Sequence, residues 1–195
     1  MSLSVLNREM YAEAEAARLL RVPQSTLNYW LESGERRGET YRPVIRPESR
    51  GERAPVSWAE FLEAGLLRTY RRDRNVPIAE LRSFIDRLRE RYGIPYPLAD
   101  RRPFVLDRQL VHEAQNEAQL DASFCLVAEV RGQFVLTAPS DEWFHQITWR
   151  DDLAVAWRLR TTTSIPGPPM PIWSWTRRTS SRPSTSRNGL AWASG

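Results

Sequence analysis

Lysine is absent from this chain of 195 residues, histidine occurs twice and cysteine once. The single cysteine, Cys125, excludes an internal disulfide framework and is typical of a reducing compartment. No apolar run is longer than about five residues, so the sequence contains no candidate membrane-spanning helix. Because residues 1–10 also lack the apolar stretch of a secretory signal, we expect a cytoplasmic globular protein.

Negative charge is missing from the C-terminal end, where no Asp or Glu follows residue 157. Six of the 28 arginines lie there, so the first 157 residues carry 22 arginines against 24 acidic side chains. The isoelectric point near 9.7 therefore reflects the C-terminal end and gives no evidence of DNA binding elsewhere. Any nucleic-acid contact in the first 157 residues must come from a local basic patch.

The residues that could perform catalysis or bind a metal are few and poorly spaced. His112 and His145 lack the HxH, HExxH or cysteine spacing of a metal site. Glu113 beside His112, and Asp141 and Glu142 near His145, could be drawn into acid–base schemes. Adjacent charged residues on a protein surface are far more often solvated. We therefore expect no enzymatic activity, no metal and no cofactor.

Two short helices separated by a tight break are predicted near the N-terminus. Apolar residues recur at helical spacing from Ala12 to Leu20 and again from Gln24 to Ser33. Pro23 separates the two segments because it lacks the N–H that a continuing helix needs, and Gly34 is well placed to end the second. The pattern predicts a helix-turn-helix over residues 11–31.

A helix-turn-helix presents its second helix to the major groove of DNA, and here the outward face of that helix is polar. Gln and Asn can pair bidentately with adenine, so we assign base contacts to Gln24, Ser25 and Asn28. The other candidate DNA contacts are two further residues of this helix and five arginines placed to meet phosphates. They are Thr26, Tyr29, Arg18, Arg36, Arg37, Arg42 and Arg46. The alternative is a helical hairpin in a core with a solvated polar face.

Further elements follow the helical pair. Residues 35–48 predict a small strand pair or wing, and Ser57 with Glu60 forms a capping-box signature that starts a third helix to about Arg72. A fourth helix opens after Pro77 and ends at Gly93. Its apolar residues alternate three and four apart, as in the seam of two packed helices or of a homodimer. These residues are Ile78, Leu81, Ile85, Leu88 and Tyr92.

Several strand-prone segments follow these helices in the sequence. Residues 104–106, 124–130 and 133–137 favour strands, with Arg131 and Gly132 as a tight turn and a helix over residues 107–119. Residues 143–157 indicate another strand or two. The fold class is therefore α+β. We expect a mainly helical winged helix-turn-helix domain at 1–98, a small α+β unit that could hold a partner at 99–158, and a disordered or frameshifted basic tail at 159–195.

The N-terminal segment resembles the start of MerR-type winged helix-turn-helix regulators, and the likeness continues to about residue 92. The residues that carry it are Tyr11, Glu15, Ala16, Ala17, Leu20, Val22, Thr26, Leu27, Tyr29 and Trp30. A longer pattern at residues 41–47, 91–99 and 132–136 resembles VapB-type antitoxins of actinobacteria with a MerR-like N-terminus. In that family a compact, acidic, helical C-terminal domain follows a motif like the one at residues 156–158, and we expect this sequence to lack it.

The resemblance implies an antitoxin that neutralises a PIN-domain ribonuclease toxin and represses its own operon, with operator DNA as a second partner. Two alternatives stay open. One is a stand-alone MerR-like regulator without a toxin. The other is a protein-interaction module without DNA binding, in which residues 78–92 dimerise. Two interpretations of a basic run also stay open: it is a solvated helix face or it contacts phosphates. The run consists of Arg68, Arg71, Arg72 and Arg74.

Overall fold

A computed structural model of the chain describes residues 3–36, 38–51, 54–74, 76–122, 125–150, 152–158 and 164–166. The helices are α1 (Leu3–Leu6), α2 (Glu13–Leu20), α3 (Gln24–Leu31), α4 (Trp58–Arg74), α5 (Ile78–Tyr92), α6 (Arg102–Leu106), α7 (Arg108–Glu117) and α8 (Ala138–Gln146). The strands are β1 (Glu9–Tyr11), β2 (Gly34–Arg36), β3 (Glu39–Tyr41), β4 (Val56–Ser57), β5 (Val127–Val130), β6 (Gln133–Leu136), β7 (Ile147–Arg150), β8 (Leu153–Arg158) and β9 (Ser164–Pro166). All pair antiparallel in small sheets, which confirms the α+β class.

Helices α2 and α3 lie where the sequence predicts them and are joined by residues 21–23. Arg21 ends α2 in the left-handed conformation, with φ at 55°, and the next N–H, of Val22, donates to the Ala17 carbonyl oxygen. Helix α3 ends at Leu31, two residues before the predicted end. Gly34 does not end that helix but begins strand β2.

The predicted wing is the hairpin β2–β3, in which Gly34 is paired with Tyr41. A Cβ atom at Gly34 would lie 2.4 Å from the Tyr41 hydroxyl oxygen, so glycine is what allows the tyrosine ring to lie over the strand. The Tyr41 ring also packs against Tyr29 of α3, with ring centroids 4.6 Å apart. This aromatic contact fixes the hairpin against α3.

Helix α4 runs through the middle of the molecule, and every residue from 58 to 67 is buried. It starts with the predicted capping box. The Ser57 N–H donates to Glu60 at 2.8 Å, and the Glu60 N–H donates to the Ser57 hydroxyl at 3.3 Å. Strand β4 just before it pairs with β1. The helix is thereby tied to the N-terminal segment at its first turn.

Helix α5 has its predicted bounds, and Gly93 ends it with φ at 61°. The dimer interpretation of its apolar seam is wrong for the central residues. Leu81, Ile85 and Leu88 are buried in the core of the same chain, because α5 packs internally against α7. The outer two seam residues are half-buried: Ile78, and Tyr92, whose hydroxyl donates to the Asp107 carbonyl oxygen at 3.0 Å.

The predicted strand at residues 104–106 is instead part of helix α6. Pro103 lies in its first turn, where a proline suits a helix, and Asp100 accepts the Arg102 N–H at 2.9 Å. Phe104 is buried and packs against Phe144 of α8, with ring centroids 4.9 Å apart. Apolar residues that favour a strand in the sequence therefore pack a short helix, α6, against α8.

The remaining predictions for the C-terminal half are mixed. Helix α7 and hairpin β5–β6 are confirmed, with Arg131 and Gly132 both at positive φ as in a type I′ turn. Residues 143–146 belong to helix α8, which was not predicted, and strands β7 and β8 follow it. Residues 164–166 form strand β9 paired with β8, so they are not part of a disordered tail. The rest of 159–195 lies outside the described residues.

Residues 1–98 and 99–158 share one buried cluster of apolar side chains. The Trp58 indole N–H donates to the Ala154 carbonyl oxygen of β8 at 2.7 Å. Trp157 packs edge-on against both Phe61 and Trp143. Helix α4 therefore packs the N-terminal helices against the β7–β8–β9 sheet. Within the described ranges, no helix is both long and apolar enough to cross a membrane.

Candidate nucleic-acid interface

The first turn of α3 presents the predicted polar face to solvent. Gln24 and Ser25 are exposed and Thr26 is half-buried, while Leu27, Trp30 and Leu31 anchor the opposite face in the core. Pro23 precedes the helix and offers no side-chain cap. The Thr26 N–H donates to the Pro23 carbonyl oxygen at 3.0 Å, which leaves the Gln24 and Ser25 N–H groups for water or for a phosphate oxygen. Arg18, on α2, is also exposed.

Asn28 is partly engaged within the protein. Its Nδ2 donates to the buried Glu13 carboxylate at the start of α2, at 3.1 Å. This bond uses one of the two Nδ2 hydrogens, and a bidentate pair with adenine needs the other hydrogen and Oδ1. Asn28 thus links α2 to α3, and its base contact stays a prediction.

Tyr29 is half-buried because its ring lies against Tyr41. It connects α3 with the hairpin. The arginines predicted near the hairpin have different outcomes. Arg42 is 83% exposed and lies 3.6 Å from Asp86, an ion pair that contributes little at such exposure. The side chain of Arg36, and all of Arg37, lie outside the described residues.

The predicted phosphate contact of Arg46 is wrong, because this side chain is buried. Its guanidinium forms ion pairs with Glu32 and with Glu60, the latter at 3.0 Å. It also donates to the carbonyl oxygens of Ala54 and Pro55 at 3.2 and 3.1 Å. Arg46 follows two buried apolar residues and is carried inward with them. Five hydrogen bonds from one guanidinium to two carboxylates and two carbonyl oxygens make this an internal network.

A second ion pair, between Glu63 and Arg89, lies under the same segment of the chain. The Glu63 carboxylate accepts the Leu98 N–H at 2.9 Å and lies 3.7 Å from the Arg89 guanidinium. Burial raises the pKa of Glu63 to about 7, against the lowering effects of Arg89 and the Leu98 N–H. Arg89 also donates to the carbonyl oxygens of Val44 and Ile45. Hydrogen bonds from Arg89, which is itself paired with Glu63, therefore fix the segment that follows the hairpin.

An open cleft of about 780 Å³ lies beside the polar face of α3. The turn, α3, the hairpin, the end of α4 and the start of α5 enclose it. Its lining residues are Arg21, Val22, Pro23, Ser25, Thr26, Tyr29, Trp30, Glu35, Tyr41, Arg68, Arg71 and Ile78. Arg68 and Arg71 belong to the basic run seen in the sequence, and the structure brings them to the same cleft as α3. The side chains of Arg72 and Arg74 lie outside the description.

Sequence reasoning missed Arg21 and Glu35 as members of this cleft. The sequence places Arg21 in the break between the two helices, and its residue type does not predict the left-handed backbone that it adopts. Glu35 lies on strand β2, and its position depends on how the hairpin folds over α3. No local signal would have found either residue.

The histidines lie on separate helices. His112 of α7 packs its ring on Phe134, with centroids 5.3 Å apart, whereas His145 of α8 contacts the Asp141 carbonyl oxygen at 2.7 Å. Cys125 is half-buried, and burial raises the pKa of its thiol. Among residues whose placement is described, no three His, Cys, Asp or Glu side chains are grouped as metal ligands would be.

No family model matches the chain. Over 102 residues it is 40% identical to the uncharacterized protein Rv2308 of Mycobacterium tuberculosis strain H37Rv, a match that covers 52% of this chain and 42% of that protein. The chain therefore spans less than half the length of that relative. A crystal structure of Rv2018 from the same species is similar in fold, with a TM-score of 0.57 and 26% identity over 79% of this chain and 71% of that one. The α+β fold described above is thus one that a crystallised mycobacterial protein also has.

Proposed function

We propose that this chain binds double-stranded operator DNA, with α3 in the major groove and the β2–β3 hairpin beside it. The observation that carries the proposal is the exposed polar first turn of α3 on an anchored helix. Gln24 and Ser25 project from it, whereas Leu27 and Leu31 of the same helix are completely buried. A rigid helix with a short hydrogen-bonding face is what major-groove reading requires.

We assign base recognition to three residues of α3. The Gln24 amide nitrogen can donate to adenine N7 while its carbonyl oxygen accepts from the N6 amino group, which makes a bidentate pair, and Ser25 can hydrogen bond to a base edge or a phosphate. Asn28 keeps its proposed base contact, because its bond to Glu13 uses only one of its two amide hydrogens. That bond also orients α3.

Phosphate contacts are assigned to exposed arginines around α3. Arg18 lies on α2, and Arg42 follows the hairpin. Both guanidinium groups are exposed, and their contacts would not depend on sequence. Arg46 is excluded from this set because it is buried beneath the hairpin.

The biological role we propose is that of a VapB-type antitoxin. The support is the resemblance of residues 41–47, 91–99 and 132–136 to that group of antitoxins. The chain would neutralise a cognate PIN-domain ribonuclease in the cytoplasm, repress its own operon and have no enzymatic activity of its own. Residues 99–158 would contact the toxin. A homodimer would need a surface other than the buried centre of α5.

DNA binding is tested by fluorescence anisotropy with a labelled duplex from the region upstream of the protein's own gene. We expect binding at least about a thousandfold tighter than to a scrambled duplex at the same salt concentration. Equal affinity for both duplexes would overturn sequence-specific binding. The antitoxin role is tested separately, by co-expression with a PIN-domain ribonuclease encoded beside the gene. Growth arrest that the chain fails to relieve would contradict that role.

A further inference from the structure

We infer that the cleft beside α3 binds a small planar aromatic anion, and that this ligand competes with DNA. The ligand site rests on the geometry of the cleft alone. The competition rests on the proposed function, because Ser25 and Thr26 line the cleft and belong to the proposed DNA-binding helix.

The size of the cleft suits a small molecule. Its volume of about 780 Å³ lies within the range of roughly 300–1,000 Å³ common for small-molecule sites. Apolar side chains of Val22, Trp30 and Ile78 form part of its wall. These residues come from the turn, α3 and α5, so the wall is built by packed elements rather than by one loop.

Aromatic rings supply the contact for a planar ligand. Tyr29 and Tyr41 lie with ring centroids 4.6 Å apart and their planes tilted by 57°. Gly34 keeps the Tyr41 ring in place, since any Cβ there would overlap it. Both tyrosines line the cleft, so a further ring bound there can pack on the pair in a stacked or edge-on arrangement.

The charge of the cleft selects an anion. Among the lining residues that the structure describes, Arg21, Arg68 and Arg71 stand against one acid, Glu35, an excess of positive charge. Arg71 is oriented by a hydrogen bond from its Nη1 to the Val76 carbonyl oxygen. Guanidinium groups bind carboxylate, sulfonate and phosphate oxygens with charge-assisted hydrogen bonds. Ring and charge together define the ligand class.

The binding test uses equilibrium dialysis of the full chain, without DNA, against 2-naphthoate. We expect binding of one molecule per chain. Two controls should each bind at least about tenfold more weakly. The first, 2-naphthol, has the aromatic ring without the carboxylate, and the second, inorganic phosphate, has the negative charge without the ring. Phosphate that binds as tightly as 2-naphthoate would show a purely electrostatic surface and overturn the inference. So would equal binding of 2-naphthol.

Two variants locate the ligand. Arg21→Gly removes a lining cation at a position with φ at 55°, where glycine is unstrained, and Arg71→Gln removes another. Each should weaken 2-naphthoate binding by about tenfold. Arg91→Gln is the matched control, since Arg91 pairs with Glu113 and Glu117 on the α5–α7 surface and should leave binding unchanged. Equal losses in all three variants, or none in any, would contradict the assignment.

Competition is measured by repeating the anisotropy titration with saturating 2-naphthoate. We expect an apparent loss of DNA affinity of at least about tenfold, which Arg21→Gly shifts to higher ligand concentration. Ligand binding in dialysis with unchanged DNA affinity would overturn the competition. Ligand binding by a chain that binds no DNA would instead contradict the proposed function and leave the ligand site standing.

Discussion

Trp157 of β8 lies directly against the backbone of Gly65 in α4. A Cβ atom at Gly65 would come within 2.5 Å of Cη2 and 2.9 Å of Cζ3 in the indole ring. The ring is itself buried and packs edge-on against Phe61, so it has little room to move. This contact joins α4 to the β7–β8–β9 sheet. Glycine is required at position 65 because a larger side chain would overlap the indole ring, and not because of its backbone conformation.

Replacement of Gly65 by Ala should therefore destabilise the protein, although alanine is the better helix former. We expect a net loss of about 1–2 kcal/mol in the free energy of unfolding, from an overpacking cost larger than the gain in helix propensity. Urea denaturation measures it. In a Trp157→Phe background, the same substitution should cost clearly less. A stabilised Gly65→Ala protein would contradict the packing described here.

Arg46→Met tests the buried ion pairs. The substitution leaves the Glu32 and Glu60 carboxylates without their shared guanidinium, and both are buried. We expect a loss of about 3 kcal/mol in the free energy of unfolding. A second variant, Arg46→Met with Glu32→Gln, should recover part of it because one unpaired charge is removed. Stability unchanged by Arg46→Met would show that the guanidinium is solvated, as a phosphate-binding residue would be.

Glu63 gives the stability of the protein a pH dependence. Its pKa is raised from 4.5 to about 7 in the folded protein, so the folded state holds this proton more tightly than the unfolded state. The resulting stabilisation is complete below about pH 4.5 and is lost as the pH rises through about 7. Glu63→Gln cannot lose a proton. Its free energy of unfolding should decline less between pH 5 and 8, and parallel curves for both proteins would contradict the assignment.

Arg42→Ala separates charge from sequence reading. Arg42 is highly exposed and its ion pair with Asp86 is long, at 3.6 Å, so the free energy of unfolding should change by less than about 0.5 kcal/mol. Affinity should fall equally on operator and scrambled duplexes. The slope of log affinity against log salt concentration should shrink by about one. A loss confined to the operator would assign Arg42 to base reading instead.

The sequence correctly predicted those elements that depend on residues close together in the chain. The Ser57–Glu60 capping box, the break at Pro23 and the Arg131–Gly132 turn each depend on residues a few positions apart, and all three are observed. The hairpin β2–β3 was predicted for the same reason.

Tertiary contacts decided the rest. Arg46 is an ordinary surface arginine by sequence, but Glu32 and Glu60 approach it from 14 residues away on either side. Asn28 meets Glu13 across the helical pair, a contact between residues 15 positions apart that no local pattern predicts. The seam of α5 shows regular apolar spacing in the sequence, yet that spacing is the same whether another chain or helix α7 fills it.

The central claim is that the first turn of α3 reads DNA bases, and Gln24→Ala tests it most directly. Gln24 is exposed and its replacement should leave the unfolding midpoint in urea unchanged. Affinity for the upstream duplex, measured by anisotropy, should fall by about 1–3 kcal/mol, with relaxed preference at one base pair and unchanged affinity for scrambled DNA. Equal losses on both duplexes, or no loss on either, would contradict base reading by this helix.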